Sequence, residues 1–407
     1  MNDRFEIPAR LKNTGFALIG VGVLTLLIGV FALLMGAHAT DYDKTRFWAT
    51  LLHDSVFFCF ITGVSIFIQA AVTLAQGAWI TSFRRVPEAI GANFWIFGII
   101  GLIVTFSIVF LYKDSHGQNP IYPWITPGND KILLGKQPFL NIPMFVGFSI
   151  ATVALWAYFG KKFRAMSIAQ ESAPKNDTKI YWKVFRLSGV FLIVYGLSQM
   201  STIPWLWVMS IQAHWFSTLF SWYSFASSFV SGMSLIMLWV LYLKNQGNLE
   251  LVTKEHMHDL GKFMFAFSIF WTYLWFAQYM LIWYANIPDE TVYFKLRQQG
   301  PYSVIFYANF ICNFIMPFLI LMSRPSKRNY FTVSFVAMLI IFGHWMDFFQ
   351  MIMPGPLGEH WTINWYEIGI FMGFVGILIT AVSRTLTKSS LVPHNNILLK
   401  ETAVHVA

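Results

Sequence analysis

Apolar stretches recur ten times along this chain of 407 residues, near 14–36, 48–76, 89–111, 141–160, 184–203, 215–243, 260–284, 302–322, 330–350 and 361–383. Each is about as long as the ~20 residues that cross a hydrocarbon core as a helix. In lipid a spanning segment must satisfy its own backbone groups, which a helix does within one run. The pattern therefore predicts an all-α integral membrane protein with ten transmembrane helices.

Two of the runs resemble each other. "RFWATLLHDSVFFCFITGVS" (46–65) aligns without gaps on "WFSTLFSWYSFASSFVSGMS" (215–234), matching Phe60 with Phe229, Gly63 with Gly232 and Ser65 with Ser234. The runs that follow open "EAIGANF" and "HDLGKFM" in nearly the same register. Matching spans lie four apart and point the same way, the signature of a parallel duplication. The expected organisation is a first span (1–44), a four-helix bundle of spans two to five (45–203), a second of spans six to nine (204–350), and span ten with its tail (351–407). Ser217, Ser221, Ser224, Ser228 and Ser231 recur along span six at the small-residue period that lets helices approach closely in lipid.

Composition agrees: 56% of residues are hydrophobic and 12% charged, where soluble domains carry about 25% charged. The net charge of +9 is unevenly placed. With ten spans threaded from a cytoplasmic N-terminus, 21 of the 28 Lys and Arg fall on the cytoplasmic side, including Lys161, Lys162, Arg164, Lys175, Lys179, Lys183 and Arg186 after span four. This is the positive-inside asymmetry, which places both termini in the cytoplasm. It accounts for the basic balance without nucleic acid. The first apolar run extends to about 22 residues, longer than a signal peptide's 7–15, so an uncleaved first span is expected.

Polar residues inside the runs carry the candidate chemistry. "FGHWMDFFQMIMPG" (342–355) places His344, Asp347 and Gln350 on one helical face. By depth, His53, Asp54, His344, Asp347 and Glu367 fall towards the outer face, with Gln199 and Gln278, while Glu88, His258 and Asp259 fall towards the cytoplasm. Asp54, Thr62, Ser65 and Gln69 line one face of span two and partly bridge the apolar middle. Ionisable residues within spans mark proton or ion routes by default. Structural alternatives stand beside that reading: Asp347 and His344 as a mutually satisfied pair, Asp259 paired with Lys262, and Glu88, His258 and Asp259 as helix caps or solvated groups at the headgroups.

Cys59 and Cys312 are isolated within spans, too few for an iron–sulfur cluster, which needs about four thiolates. There is no HExxH, P-loop, GxGxxG or CxxC, and His53 and His344 are the sole well-embedded histidines, so paired haem ligands and metal sites are not expected. Any redox centre then lies in a partner or is a diffusible quinone. On the outer side the segment 112–140 is long and rich in Pro and Gly, as functional or disordered loops are. Tryptophan-rich turns at 201–215 and 351–361 complete a face suited to a partner.

Ten spans, the duplication, "HDLGKFMFAFSIFWTYLWFAQYMLIWYANIPDET" (258–291) and "GHWMDFFQMIMPG" together resemble the polysulfide-reductase membrane-subunit (NrfD-like) family, and within it the F-type subunits of bacterial alternative complex III. That resemblance implies a bacterial cytoplasmic-membrane subunit of a complex that oxidises quinol and reduces a c-type cytochrome or terminal oxidase. It implies an iron–sulfur subunit, multihaem and monohaem cytochrome c subunits, a homologous NrfD-like quinol-binding subunit and lipids as partners. Haem c and the clusters would sit in those partners, and nothing is bound covalently here. A quinone (menaquinone, for example) would bind near the outer ends of spans two to five, with His53, Asp54, Tyr195 and Gln199 as candidate lining groups. The proton route would then use Asp54, His344, Asp347 and Glu367 in its outer half and Glu88, His258 and Asp259 in its inner half. Two rivals stand beside this: a purely structural anchor of the complex, and a secondary transporter. The latter is disfavoured by the lack of paired Gly- or Pro-broken segments at mid-membrane.

Overall fold

The computed structural model describes residues 4–174, 177–361 and 363–404. Lys175 of the cationic loop and the outermost residues of the first and last expected segments lie outside them. The chain is an all-α integral membrane protein whose ten apolar helices run Ala9–Leu34, Asp41–Leu74, Arg85–Phe110, Ile142–Glu171, Lys179–Trp207, Leu219–Asn245, Lys254–Ala285, Gly300–Leu321, Tyr330–Ile352 and Trp365–Leu386. We number them spans one to ten. Among the described residues there is no strand, only a single bridge, Arg4 to Ser390, that joins the two ends of the chain.

Local sequence explains where the helices begin. Span two starts behind Thr40, whose hydroxyl accepts from the Asp43 amide while the Asp43 carboxylate accepts from the Thr40 amide. Spans four and nine start behind Asn141 and Asn329, which accept from the amides of Met144 and Thr332. Span ten starts at Trp365, later than the apolar run suggested. The chain turns at Gly358 (φ +56°) and reaches the helix only at Asn364, whose amide donates to Glu367 Oε2 at 2.9 Å. Glu367 is thus in the first turn of the helix rather than two turns in.

Spans two and six are the axis of the fold, with 89% of their apolar windows buried, against 17% for span one. Contacts link spans two, three, four and five among themselves, and spans six to nine likewise. Span two also packs on spans six, nine and ten. The aligned glycines of spans two and six serve different neighbours. A side chain on Gly63 would meet the Trp156 ring at 2.6 Å, and one on Gly232 would meet Val64 at 2.7 Å. Ser224, Ser228 and Ser231 donate to carbonyls of their own helix, which leaves span six a smooth, small-residue surface.

Spans five and eight are each interrupted by a π turn ahead of a proline, which the apolar pattern conceals. Span five has a π turn at Ser198–Thr202 just before Pro204, and span eight one at Ile311–Ile315 just before Pro317. Proline has no amide to donate and its ring crowds the preceding turn, so the helix widens there.

Within the segment 112–140, Asn119 closes the turn that follows span three. Buried Asn119 donates to the carbonyls of Ile108 and Tyr112 and accepts from the amides of Ile121 and Tyr122. The Tyr122 hydroxyl then donates to the Trp207 carbonyl at 3.0 Å, anchoring the loop to the end of span five.

Span one joins the rest mainly through span ten. A side chain on Gly22 would sit 2.3 Å from the Gly373 Cα, and Gly15 and Gly29 face Thr380 and Tyr366. Gly20, on the opposite side of the helix, has nothing within 4 Å. Gly22→Leu is expected to force the pair apart and to destabilise by about 1–3 kcal/mol or more. Gly20→Leu should be close to neutral. Thermal unfolding of both variants in the same detergent checks this ordering.

Candidate functional site

Span nine lies between spans two and six and presents a different group to each. Trp345 faces span two. Its indole N–H donates to Asp54 Oδ1 at 2.7 Å, and its backbone carbonyl accepts from His53 Nε2 at 2.9 Å. Both His53 and Asp54 have no exposed surface. A carbonyl can only accept, so His53 carries its proton on Nε2, leaving Nδ1 as a lone pair. That lone pair lies 3.8 Å from Asp54 Oδ1. Neither His53 Nδ1 nor Asp54 Oδ2 has a hydrogen-bond partner among the described residues. A proton on Asp54 therefore has an empty acceptor within one small movement.

His344 and Asp347, one turn apart, face span six instead. Asp347 accepts from the Tyr223 hydroxyl, from Ser227 Oγ at 2.9 Å and from the Trp271 indole at 2.9 Å. Ser227 Oγ also lies 2.9 Å from His344 Nδ1. Because the serine donates its proton to Asp347, it accepts from His344 Nδ1–H. The three form a chain from imidazole through hydroxyl to carboxylate. His344 Nε2 has no partner among the described residues. The nearest approach of His344 Nδ1 to the Asp347 carboxylate is 3.8 Å, so the serine, not direct contact, satisfies the pair. Gln350, on the same face, donates to the Tyr302 carbonyl and has no contact with either.

The remaining candidates are more fully occupied. Glu367 is clasped by Arg46, with Nε to Oε1 and Nη2 to Oε2 both at 2.7 Å. Thr50 and the Asn364 amide add further donors. Glu88 is not solvated at the headgroups. It is fully buried and held by Arg84 at 3.0 Å and Arg85 at 2.8 Å, with Arg85 bonded onward to Glu171 and Ser167. Asp259 pairs with Lys262 at 2.5 Å, the structural alternative weighed for it. His258 beside it is buried, with Nδ1 unpartnered among the described residues.

The four candidate quinone-lining residues do not converge. Tyr195 stacks on Trp156 at 4.7 Å and meets Phe67 at 4.9 Å. Phe67 is thirteen residues beyond Asp54 on span two, about 20 Å along the helix. Gln199 sits in the π turn of span five with both amide atoms unpartnered among the described residues. His53 and Asp54 therefore occupy one depth, and Tyr195 another.

Sequence reasoning missed the donors. Trp345, Trp271, Tyr223 and Ser227 look like interfacial or packing residues, and Arg46 looks like a loop cation. The available signal was that every buried carboxylate in lipid needs donors on a neighbouring helix. Among the described residues no three His, Cys, Asp or Glu side chains converge as a metal site would require.

The Glu367–Arg46 pair gives a direct test of structural roles. Removing one partner of a buried pair costs about 3–5 kcal/mol because the other charge is stranded. Arg46→Met alone should therefore lower the melting temperature sharply, whereas Arg46→Met with Glu367→Met should recover most of the loss. Melting curves of the single and double variants decide it. Compared with models of known protein families the chain matches none, and no curated protein matches it.

Proposed function

We propose that this chain is a membrane subunit of a bacterial respiratory complex that oxidises quinol, and that it carries protons through its outer half. The observation that carries the reading is the His53–Asp54 pair. A carboxyl group and an imidazole are buried side by side in the membrane core with one oxygen and one nitrogen open. A purely structural carboxylate would be expected to have its lone pairs filled, as those of Glu367 and Glu88 are. The resemblance to NrfD-like subunits supplies the redox context. Quinol oxidation releases protons with its electrons, and the electron carriers (an iron–sulfur subunit, multihaem and monohaem cytochromes c and a homologous quinol-binding subunit) would be partners in the cytoplasmic membrane, with both termini of this chain on the cytoplasmic side.

In this reading Asp54, whose Oδ1 is held by the Trp345 indole, receives a proton on Oδ2 and passes it to His53 Nδ1, becoming the carboxylate that accepts the next proton. His344, Ser227 and Asp347 form a second relay on the other face of span nine. Quinone, if it reaches this chain, meets the His53–Asp54 pair without Tyr195, which packs on Phe67 about 20 Å further along span two. The ion pairs at Glu367, Glu88 and Asp259 act as fasteners.

The test is proton translocation by the assembled complex in sealed vesicles, driven by a quinol and an electron acceptor. Asp54→Asn should lower the rate of proton translocation by about 10²-fold, the lower range for a positioned proton-transfer group, and Asp347→Asn should also lower it, with assembly intact. Unchanged translocation in Asp54→Asn, or failure of that variant to assemble, would refute the proton role and favour a structural anchor.

A further inference from the structure

Span one leaves an opening as a consequence of how it is held. Its glycine seam draws it onto span ten so closely that it stands away from spans two and three. The space between is a groove of about 470 Å³ lined by Val23, Leu26, Leu51, Ile100, Ile103 and Phe374. Val23 and Ile103 are largely exposed, so the groove opens sideways towards lipid.

At the end where the two termini lie, the groove continues into a second space of about 270 Å³. Ile19 and Ile377 line both. The character changes there. Arg384, Lys388, Asn93, Thr380 and Thr385 line this end, and the Thr380 hydroxyl has no hydrogen-bond partner among the described residues. Arg384 and Lys388 are exposed, and no ion pair among the described residues contains either. Arg4, Lys12 and a single carboxylate, Glu6, cluster beyond Arg384. Two cations thus stand at the mouth of an apolar slot, with Arg4 and Lys12 against Glu6 beyond them. From Ile19 to Leu34 the slot is about 22 Å long at 1.5 Å per residue, most of a ~30 Å hydrocarbon core.

We propose that this groove is a binding site for an anionic phospholipid, with its phosphate on Arg384 and Lys388 and an acyl chain between spans one, three and ten. The charge complementarity selects the headgroup, since basic pockets between spans attract anionic lipids by electrostatics. The apolar slot selects a chain. A free phosphate would leave the slot empty, and a neutral lipid would leave the two cations unpaired. The bound lipid would also cover the side of span one that span ten does not, fixing a helix that otherwise has one neighbour along most of its length.

The experiment is native mass spectrometry of the full chain released from nanodiscs of phosphatidylglycerol and phosphatidylcholine in equal amounts. The wild-type chain should retain phosphatidylglycerol over phosphatidylcholine by about tenfold. Arg384→Ala with Lys388→Ala should abolish that preference. Val23→Trp, which fills the slot from its lipid-facing wall, should reduce retention of both lipids while the chain keeps its helical circular dichroism. Equal retention of the two lipids by wild type would overturn the proposal. So would an unchanged preference in the double variant, or displacement of the lipid by added inorganic phosphate alone.

Discussion

A carboxyl group in hydrocarbon needs donors, and span nine is where two of the buried ones meet theirs: Trp345 donates to Asp54, and Asp347 accepts from spans six and seven. Trp345 binds the side chains of both His53 and Asp54, one through its indole and one through its carbonyl. One turn of the same helix carries His344 and Asp347 to the serine and aromatic donors of spans six and seven. These contacts tie span two to span nine and span nine to span six. The polar requirement and the packing of the two buried helices are therefore one constraint. Spans two and six, the most buried of the ten, meet span nine through His53 and Asp54 on one and Tyr223 and Ser227 on the other.

Buried acids in this fold fall into two kinds. Glu367, Glu88 and Asp259 meet arginine or lysine, and their charge is compensated where they stand. Such pairs fasten: Arg46 to Glu367 holds the start of span two to the start of span ten, and Arg84 and Arg85 to Glu88 hold the start of span three. Asp54 and Asp347 have no cation in hydrogen-bond contact among the described residues, only neutral donors and a histidine nearby. A group of that second kind changes protonation without stranding an opposite charge, which is what a relay requires and a fastener does not.

The fold class and the number of spans were legible because hydrophobic length is a strong signal and lipid permits few alternatives. The small-residue face of span six was legible for the same reason. Helix starts were less so: span ten begins at Asn364 and Glu367, where capping rather than hydropathy decides. The π turns at Ser198–Thr202 and Ile311–Ile315 were hidden because Pro204 and Pro317 interrupt the hydrogen bonding without interrupting the apolar run. At the site, titratable residues announced themselves, but their partners did not. Trp345 and Trp271 have the same letters as a membrane-interface belt, and only the third dimension shows their indoles aimed at Asp54 and Asp347. Tyr195, grouped with His53 and Asp54 by span order, packs on Phe67, about 20 Å further along the neighbouring helix, because span order gives depth only coarsely.

Infrared difference spectroscopy on the assembled complex reads directly the proton exchange proposed for Asp54. Comparing oxidised with quinol-reduced protein should reveal a carboxylic-acid C=O band that shifts in heavy water and vanishes in Asp54→Asn. A difference spectrum without any carboxylic-acid band, or with one that survives the substitution unaltered, would show that this carboxyl keeps a fixed protonation state and is a structural element of the fold.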